Sequence, residues 1–496
     1  MLQRAVAVGA LVAGLWLCGP AGAAVPPTRI MTLGDSVTVN PQDMADFSAR
    51  VPALVAVQAA AALAFTGPLR VSPDHRGFVD AAGKPFFWLG DTAWALPVVL
   101  NPADADLYLR NRGAKGFTVV QCVLAWSGGT GDNKNTPHPN HAGERPWLND
   151  NPATPNDAFF RHVDYLVDTA NREGIVLAML PSWSNFVDNG LLNNGNARAY
   201  GRWLGARYRS RPNIIWVIGG DIESKRDGTP YLELAAGLKE TDGTHLVTYH
   251  NQAWSSDQKG ADPWLDFNMS QAWGRYYIPA MVAHDYILKP PKPTVMGEVA
   301  YEDGPQYPNK PINPLAIRKQ AWWTYLSGGG HTYGNNSVWG FGKYYDPGTS
   351  PDWKKALDSQ GAFHVGKART ILASRSWWTL VPDQKIVPNE AVSDNIWKYG
   401  SGVVAARLGD GSGALVYLPD PKAINVDLGR IAAKGALRAS WINPITGEAT
   451  VIGDVGSSGT RSFTTPAGLT DAVLALDRSG PAATPPATPP TSRSGS

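Results

Sequence analysis

The chain has 496 residues, of which 43% are hydrophobic and 17% are charged, and its formal net charge is +2. This length predicts two or three domains, and the composition excludes a disordered or coiled-coil protein over most of the chain. The small net charge gives no electrostatic basis for binding nucleic acid or an anionic membrane. The 19 tryptophans are compatible with a carbohydrate site, because indole faces stack on the C–H faces of sugars, although core packing is the alternative for each of them.

The N-terminus is typical of a secretory signal peptide, which we place at residues 1–23. Arg4 precedes the apolar run "AVAVGALVAGLWLCGP", and "AGA" at 21–23 matches a small-x-small cleavage site. The run is too short to span a bilayer. We therefore predict a secreted or periplasmic protein without membrane contact after cleavage; an uncleaved anchor is the alternative.

Cleavage would remove Cys18 and leave Cys122 as the one remaining cysteine, so no internal disulfide is expected. We interpret Cys122 as an inert core residue.

Residues 24–67 form an Ala-rich extension that contains a motif of a different enzyme class. The stretch "RIMTLGDSVT" at 29–38 resembles the first block of the SGNH esterases, with Ser36 at the position of the nucleophile, and "DGTH" at 242–245 resembles their Asp-x-x-His. No compact flavodoxin-like domain follows this block. An esterase acting through Ser36 is therefore the less favoured alternative.

Residues 68–380 alternate short apolar runs with longer amphipathic segments. In "DAFFRHVDYLVDTANREG", five apolar residues between 159 and 167 share one helical face. Near-continuous apolar runs favour strands buried on both faces, and eight strand–helix units fit a (β/α)8 TIM barrel. A doubly wound open sheet is the alternative, but "GDTAW" after the first run is not a glycine-rich phosphate loop. The eight runs are 86–91, 117–125, 174–183, 214–221, 246–251, 267–273, 294–300 and 328–336.

The C-terminal part has a different pattern. Residues 381–478 contain alternating apolar and polar residues separated by Gly, Asp and Asn turns, which predicts a small antiparallel β-sandwich domain. Residues 479–496 are rich in Pro, Thr and Ser and predict a disordered tail.

Polar and aromatic side chains close the apolar runs. Active sites of TIM barrels lie at the C-terminal ends of the strands, so these side chains are expected to converge on one cup. Trp94, Trp183 and Trp273 are candidate stacking platforms for a sugar. A structural brace is the alternative for Asp91, and orientation of the carboxylates or a core position is the alternative for the histidines. The predicted substrate-binding residues are Asp91, Trp94, Gln121, Trp183, His250, Asn251, Gln271, Trp273 and His331.

Two of the strand-end residues are the carboxylates that glycoside hydrolysis requires. Asp221 follows the fourth predicted strand and Glu298 the seventh, so they should face each other across the cup. One would protonate the leaving oxygen, and the other would attack the anomeric carbon or activate water. Gly219 and Gly220 are expected to leave room for a sugar beside the acid. Glu223 is a weaker rival acid, whereas residues 302 and 303 are expected to lie out on the loop.

Four motifs carry a family resemblance. In order, "GKPFFWLGDTAW", "IIWVIGGD", "PTVMGE" and "WWTYLSGGGHTYG" resemble glycoside hydrolase family 140, which contains apiosidases that act on pectic side chains. The resemblance covers about residues 68–478 and implies a barrel followed by a domain of the collagen-binding type. It also implies Asp221 as acid/base and Glu298 as nucleophile of a retaining mechanism. Asp221 departs from the wider clan of barrel glycosidases, where Asn-Glu is usual at this point.

The sequence has no HExxH, CxxC or EF-hand pattern, so it implies no metal and no cofactor. The predicted partner is a carbohydrate. An alternative of a different class is a non-catalytic polysaccharide-binding protein on a glycosidase barrel. The sugar, the linkage and the oligomeric state stay open.

Overall fold

The computed structural model describes residues 65–479, except 128–135, 223–228, 258–263, 273–277, 306–311, 345–350, 391–401, 432 and 434. Several predictions fall outside the described residues. These are the signal peptide, the extension as far as residue 64 with Ser36, the tail from residue 480, and the roles of Glu223 and Trp273.

Three short antiparallel strands precede the barrel: β1 (Arg70–Val71), β2 (Phe78–Val79) and β3 (Pro85–Phe86). Phe78 packs against Trp88 and Phe267, with ring centroids 5.4 and 5.1 Å away. These two partners immediately precede barrel strands, so Phe78 closes the N-terminal end of the barrel.

Eight parallel strands form the barrel, and each coincides with one of the eight predicted runs to within one residue at its C-terminal end or lies inside it. The sheet order is β8-β7-β6-β5-β4-β11-β10-β9. The first and last strands of this order approach each other, because Thr248 Oγ1 donates to the carbonyl of Phe267 at 2.7 Å. The sheet is therefore a nearly closed barrel, and the predicted fold class is confirmed. The strands are β4 (Leu89–Thr92), β5 (Val119–Ala125), β6 (Val176–Ser182), β7 (Ile214–Ile222), β8 (Val247–Asn251), β9 (Asn268–Gln271), β10 (Thr294–Glu298) and β11 (Gly329–Tyr333).

Helices lie between the strands and cover the barrel. Asn101, Asn156 and Asn313 cap three of them by accepting a hydrogen bond from a backbone N–H of the first turn. None of the helices within the described residues is long and apolar enough to cross a membrane. The helices are α1 (Leu96–Val99), α2 (Pro102–Ala114), α3 (Asp157–Arg172), α4 (Asn185–Asp188), α5 (Ala197–Tyr208), α6 (Thr229–Thr241), α7 (Ile278–Tyr286), α8 (Pro314–Leu326), α9 (Trp353–Ala356) and α10 (Gln360–Ala373).

The C-terminal part is an antiparallel sandwich of a six-stranded and a two-stranded sheet, as predicted. The larger sheet has the order β12-β13-β14-β19-β16-β17, and the smaller pairs β15 with β18. One face of the larger sheet packs on the smaller sheet, and the other packs on the barrel helix α8. The strands are β12 (Leu380–Pro382), β13 (Val404–Leu408), β14 (Gly413–Leu418), β15 (Ala423–Asp427), β16 (Leu437–Ile442), β17 (Ala449–Val455), β18 (Thr460–Thr464) and β19 (Ala472–Arg478).

A buried ion pair links the barrel to the sandwich. Arg318 on α8 donates to both carboxylate oxygens of Asp471, at 2.9 and 2.7 Å. Tyr417 on β14 donates to the same carboxylate at 2.9 Å, and its ring stacks on Trp322 of α8 at 5.7 Å. Since the carboxylate is buried, each of these donors compensates for its loss of water.

We expect Tyr417→Phe to lower the free energy of unfolding by about 1.5–3 kcal/mol, because it removes a hydrogen bond to a buried charge. Chemical denaturation of the full chain measures this change. Tyr249→Phe is the matched control: its hydroxyl is buried with no hydrogen-bond partner among the described residues, so stability should stay equal or rise. Equal losses in both variants would contradict the role given to Asp471.

Candidate active site

Asp221 and Glu298 lie at the C-terminal ends of β7 and β10. Because all eight strands run parallel, both carboxylates lie at the same end of the barrel. One oxygen of each carboxylate and one ring nitrogen of His250 lie within 4.8 Å of one another. The structure therefore brings the two predicted acids together around a histidine.

Asp221 reaches the cup through an irregularity in β7. Gly219 pairs with His250 but Ile222 pairs with Asn251, so the strand bulges between them. The bulge places Gly219, Gly220 and Asp221 at φ values of 88°, 134° and 47°. The first two values are readily adopted only by glycine. A bulge of this kind redirects the following side chain.

The two glycines are also tightly packed. A Cβ on Gly220 would lie 2.7 Å from the indole of Trp183, and one on Gly219 would lie 2.6 Å from the carbonyl oxygen of His250. The expectation that these glycines leave room for a sugar is wrong, because the protein itself fills that space. They serve the backbone conformation that presents Asp221.

Gln271, at the end of β9, bridges the two carboxylates. Its Nε2 donates to Asp221 Oδ1 at 2.6 Å and to Glu298 Oε2 at 2.8 Å. Both neighbours are acceptors when ionised, so the NH2 group must face them, and its two hydrogens serve one carboxylate each. Gln271 was predicted to contact substrate; the structure places it, nearly buried, between the acids.

His250 on β8 contacts both acids from the other side. Its Nε2 lies 3.1 Å from Glu298 Oε2, and its Nδ1 lies 4.0 Å from Asp221 Oδ1. The backbone N–H of Asp221 points at Nδ1 from 3.4 Å, which leaves the ring proton on Nε2, facing Glu298. Burial opposes the charged imidazolium, but the neighbouring carboxylates of Glu298 and Asp221 outweigh it, so the pKa of His250 is raised.

Tyr301 completes the contacts of Glu298, although it is not among the site residues predicted from the sequence. Its hydroxyl donates to Glu298 Oε1 and accepts a hydrogen bond of 2.9 Å from Trp94 Nε1. Burial and the charge of Glu298 hold the pKa of Tyr301 well above its usual value. The only signal in the sequence was its position three residues after Glu298. Trp94, predicted as a stacking platform, is 3% exposed, so it positions Tyr301 instead of offering a face to a sugar.

The two acids have different environments. Glu298 is nearly buried and both of its oxygens accept hydrogen bonds. The side chain of Asp221 is 44% exposed and opens to the cup. Desolvation of the carboxyl group within the cup and the negative charge of Glu298 raise the pKa of Asp221 to about 6, although His250 and Gln271 oppose the rise. Asp221 can therefore hold a proton at mildly acidic pH.

An aromatic wall lines the cup next to Asp221. Trp183 lies 5.3 Å from Trp94 and 5.2 Å from Trp126, and Trp126 in turn contacts Trp339 at 6.2 Å and Tyr344 at 6.3 Å. Trp183 and Trp339 are only half-buried. Of the predicted platforms within the described residues, Trp183 is therefore the one with surface left for a ligand.

Two predicted contacts point away from the cup. Asp91 is fully buried and accepts 2.6 Å hydrogen bonds from Arg112 and Tyr108, both on α2. His331 is fully buried 3.2 Å from Thr324 on α8, and burial lowers its pKa to about 3. Successive side chains of a strand alternate between its two faces, and these two face the helices. The prediction of a sugar contact is wrong for both.

Two further predicted contacts are enclosed by protein. Gln121 is fully buried and donates to the carbonyl of Gly297 at 2.6 Å, which supports the residue before Glu298. Asn251 is 3% exposed and donates to the carbonyl of Trp254 at 2.9 Å. Neither side chain is available to a sugar, so these predictions also need correction.

The loop after Glu298 differs from expectation at one of its two acids. Asp303 is exposed, as predicted, but Glu302 is 1% exposed. Glu302 accepts hydrogen bonds from the Tyr333 hydroxyl at 2.6 Å and the Gly361 amide at 2.8 Å. Burial raises its pKa. Glu302 therefore fixes the loop to β11 and α10.

The donor set of Asp221, His250 and Glu298 also has the composition of a cation site. However, the N–H group of Gln271 lies between the two carboxylates at hydrogen-bonding distance from each. A cation bound there would meet the positive end of that amide dipole. The arrangement is better suited to two acids that share one hydrogen-bond donor.

We expect Gly220→Ala to lower kcat/KM by about 10²-fold, because the added Cβ must displace Trp183 or the Asp221 backbone. A misplacement of about 1 Å in a preorganised site lowers the rate by roughly this factor. Steady-state kinetics on any accepted glycoside measures this loss. Gly453→Ala is the control: its φ of 136° is close to the 134° of Gly220, but the space around its Cβ is open, so only stability should fall. Unchanged kinetics in Gly220→Ala would contradict the positioning role.

Comparison with solved structures supports a glycosidase. A glycoside hydrolase family 5 protein from Bacteroides vulgatus aligns with a TM-score of 0.75 at 27% identity, covering 83% of this chain and 94% of its own. A second glycoside hydrolase aligns with a TM-score of 0.74 at 28% identity, covering 83% of this chain and 97% of its own. A search of curated proteins gives no match.

Two family models match the sequence. One, named for a collagen-binding domain of a collagenase, matches residues 381–477. The other describes the apiosidase-like catalytic domain and matches residues 72–379, which is more than half of the sequence. The chain therefore belongs to the apiosidase-like family of glycoside hydrolases.

Proposed function

We propose that this glycoside hydrolase acts by a retaining double displacement, with Glu298 as nucleophile and Asp221 as acid/base. The separation of the acids carries the proposal: their nearest oxygens lie within 4.8 Å. Retaining enzymes hold the two carboxyl groups about 5–5.5 Å apart, whereas inverting enzymes need about 6.5–9.5 Å to admit a water. One amide nitrogen of Gln271 reaches both carboxylates, so the acids are close enough for one of them to attack the anomeric carbon directly.

Glu298 has the contacts of a nucleophile. The Tyr301 hydroxyl binds Oε1, Gln271 binds Oε2, and His250 Nε2 faces Oε2. These groups stabilise the ionised carboxylate and fix its orientation. Each carboxylate oxygen has two lone pairs. Oε1 accepts only from the Tyr301 hydroxyl among these groups, so it keeps a lone pair for the bond to the sugar.

Asp221 has the contacts of an acid that becomes a base. Its raised pKa depends partly on the negative charge of Glu298. In the first step Asp221 gives its proton to the departing oxygen while Glu298 bonds to the anomeric carbon. Esterification removes the charge of Glu298, so the pKa of Asp221 falls. The ionised Asp221 then takes a proton from the water that cleaves the ester, which restores both groups.

We further infer that the substrate is a side chain of a plant or bacterial polysaccharide, as the apiosidase-like family suggests. Trp183 offers an indole surface next to Asp221 for the sugar ring. Export through the N-terminal residues 1–23 would bring the enzyme to such a substrate, and this stays part of the proposal.

The test is a screen of sugars released from plant and bacterial polysaccharides, comparing wild type, Asp221→Asn and Asp303→Asn. Asp303 is an exposed acid near the same end of the barrel, so its variant should act like wild type, whereas Asp221→Asn should release little. Apiose release from rhamnogalacturonan-II would support the specific substrate. Another sugar would limit the conclusion to glycoside hydrolysis, and equal release by both variants would overturn the role of Asp221.

A further inference from the structure

A second cleft, of about 350 Å³, lies at the opposite end of the barrel from the carboxylates. It is bounded by the first residues of β10 and β11, by β2, β3 and the turn before β2, and by Trp377, Trp378 and Leu380, which lead into the sandwich. Because parallel strands begin at this end, the cleft is separated from Asp221 and Glu298 by the length of the barrel. Its volume is within the range of small-molecule sites.

The walls of this base cleft are largely aromatic. Phe87 lies 5.1 Å from Tyr325 and 4.8 Å from Trp377. Trp377 and Trp378 meet at 6.1 Å with their ring planes at 89°, and Trp378 is 36% exposed. Two perpendicular indoles thus form a corner, one of whose rings remains open to solvent. Such a corner offers a flat apolar surface to one face of a ring-shaped ligand.

Two hydroxyl groups of the lining have no hydrogen-bond partner among the described residues. They are Thr294 Oγ1, on a residue that is 3% exposed, and Tyr325 Oη, on a residue that is 5% exposed. Buried polar groups are almost always paired, and leaving one unpaired is costly. A ligand or a water of the cleft that reached these two buried hydroxyls would supply the partner that each of them lacks.

The charged side chains of the lining are engaged with the protein. Arg76 lies over the ring of Tyr286 with its Cζ 4.1 Å from the centroid and donates to the Tyr286 carbonyl. Asp74 accepts hydrogen bonds from the Ser72 hydroxyl and the Arg76 backbone. These are the one basic and the one acidic residue of the lining, so the cleft has no net charge that would attract a charged ligand. A neutral molecule with hydroxyls and an apolar ring face needs no such charge.

We propose that the base cleft is a second, non-catalytic site for a neutral saccharide unit. The sugar ring stacks on Trp378, and its hydroxyls pair with Thr294 and Tyr325. The proposal goes beyond the proposed hydrolysis and does not depend on it, since no residue of the cleft touches the carboxylates. A site there would keep the enzyme on a polysaccharide while the cup acts on a branch.

Affinity electrophoresis in gels that contain arabinan, galactan or xylan tests the site on the full chain. At least one polysaccharide should retard wild type, and Trp378→Ala should raise the apparent Kd about tenfold, as for loss of one stacking contact. Phe363→Ala is the matched control, because Phe363 is an exposed aromatic residue of α10 outside the cleft. It should migrate like wild type. The kcat/KM of Trp378→Ala on a short soluble substrate should be unchanged.

Tyr325→Phe and Thr294→Val remove the hydroxyls with little change of shape, so they should weaken binding several-fold without lowering Tm. The proposal is overturned if no polysaccharide of the panel retards wild type or if Trp378→Ala is retarded equally. Retardation lost in Trp183→Ala but kept in Trp378→Ala would assign binding to the cup and also overturn it. Glu298→Gln separates the two proposals: it should abolish hydrolysis and leave Trp378-dependent retardation intact.

Discussion

Glu298→Gln is expected to lower kcat/KM by about 10⁴-fold or more, since loss of a nucleophile removes the covalent route. The amide is a poor nucleophile, and it also disturbs the groups around it. Gln271 and Tyr301 both donate to the carboxylate of Glu298. The amide NH2 of the new glutamine would face either the Gln271 NH2 or the Tyr301 hydroxyl, both of which donate. The two side chains would then repel each other, and the geometry of the site would be disturbed as well.

Single-turnover kinetics with an activated aryl glycoside measures this effect, and azide rescue identifies the role. Azide should restore activity to Glu298→Gly and give a glycosyl azide of inverted configuration, because azide then takes the place of the nucleophile. Azide should also restore activity to Asp221→Gly, but here the glycosyl azide should have retained configuration, because azide attacks the glycosyl-enzyme. Glu302→Gln is the control, since Glu302 is a buried glutamate of the following loop that does not touch the acids. A loss below about tenfold in Glu298→Gln would exclude it as nucleophile.

The barrel could be predicted because its strands are parallel and covered on both faces. Such strands are nearly continuous apolar runs, and each of the eight runs corresponds to one strand. The positions of Asp221 and Glu298 follow from the same rule. Asp221 closes its run, and Glu298 lies two residues before the end of its run, where β10 ends. The sandwich could be predicted from strand alternation and turn residues alone.

The orientation of the other strand-end residues could not be predicted. A side chain changes face with every residue, so an error of one position in a strand end moves it from the cup to the helices. Asp91 and His331 are such cases. The bulge after Gly219 adds a second difficulty, because it shifts the register by more than one residue and is not visible in the apolar pattern.

The contacts that tune the acids are long-range as well. Gln271 and Asp221 are 50 residues apart, and Trp94 and Tyr301 are 207 apart. A sequence shows that polar and aromatic residues gather at strand ends, but their pairing depends on the closed barrel. The helix α8 is a related case: it is buried on nearly all sides, because the sandwich covers the face that would otherwise meet water.

The second large effect concerns the proton on Asp221. Asp221→Asn should lower kcat/KM by about 10²–10⁴-fold on a natural glycoside, whose leaving oxygen needs a proton. On an aryl glycoside with an acidic leaving group, the first step should be nearly unaffected, because that oxygen departs without protonation. A variant of the nucleophile Glu298 would lose activity on both substrates to the same extent. The ratio of the two losses therefore distinguishes Asp221 from Glu298.

The pH profile tests the same assignment independently. The acid must be protonated to act, and the pKa of Asp221 is raised to about 6. Activity of the wild type should therefore fall as pH rises through about 6, and this alkaline limb should vanish in Asp221→Asn. In Glu298→Gln the negative charge that helps to raise the pKa is gone, so carboxyl NMR signals should show Asp221 titrating at lower pH. An unmoved titration would mean that burial alone sets the proton affinity, and the acid could not become a base in the second step.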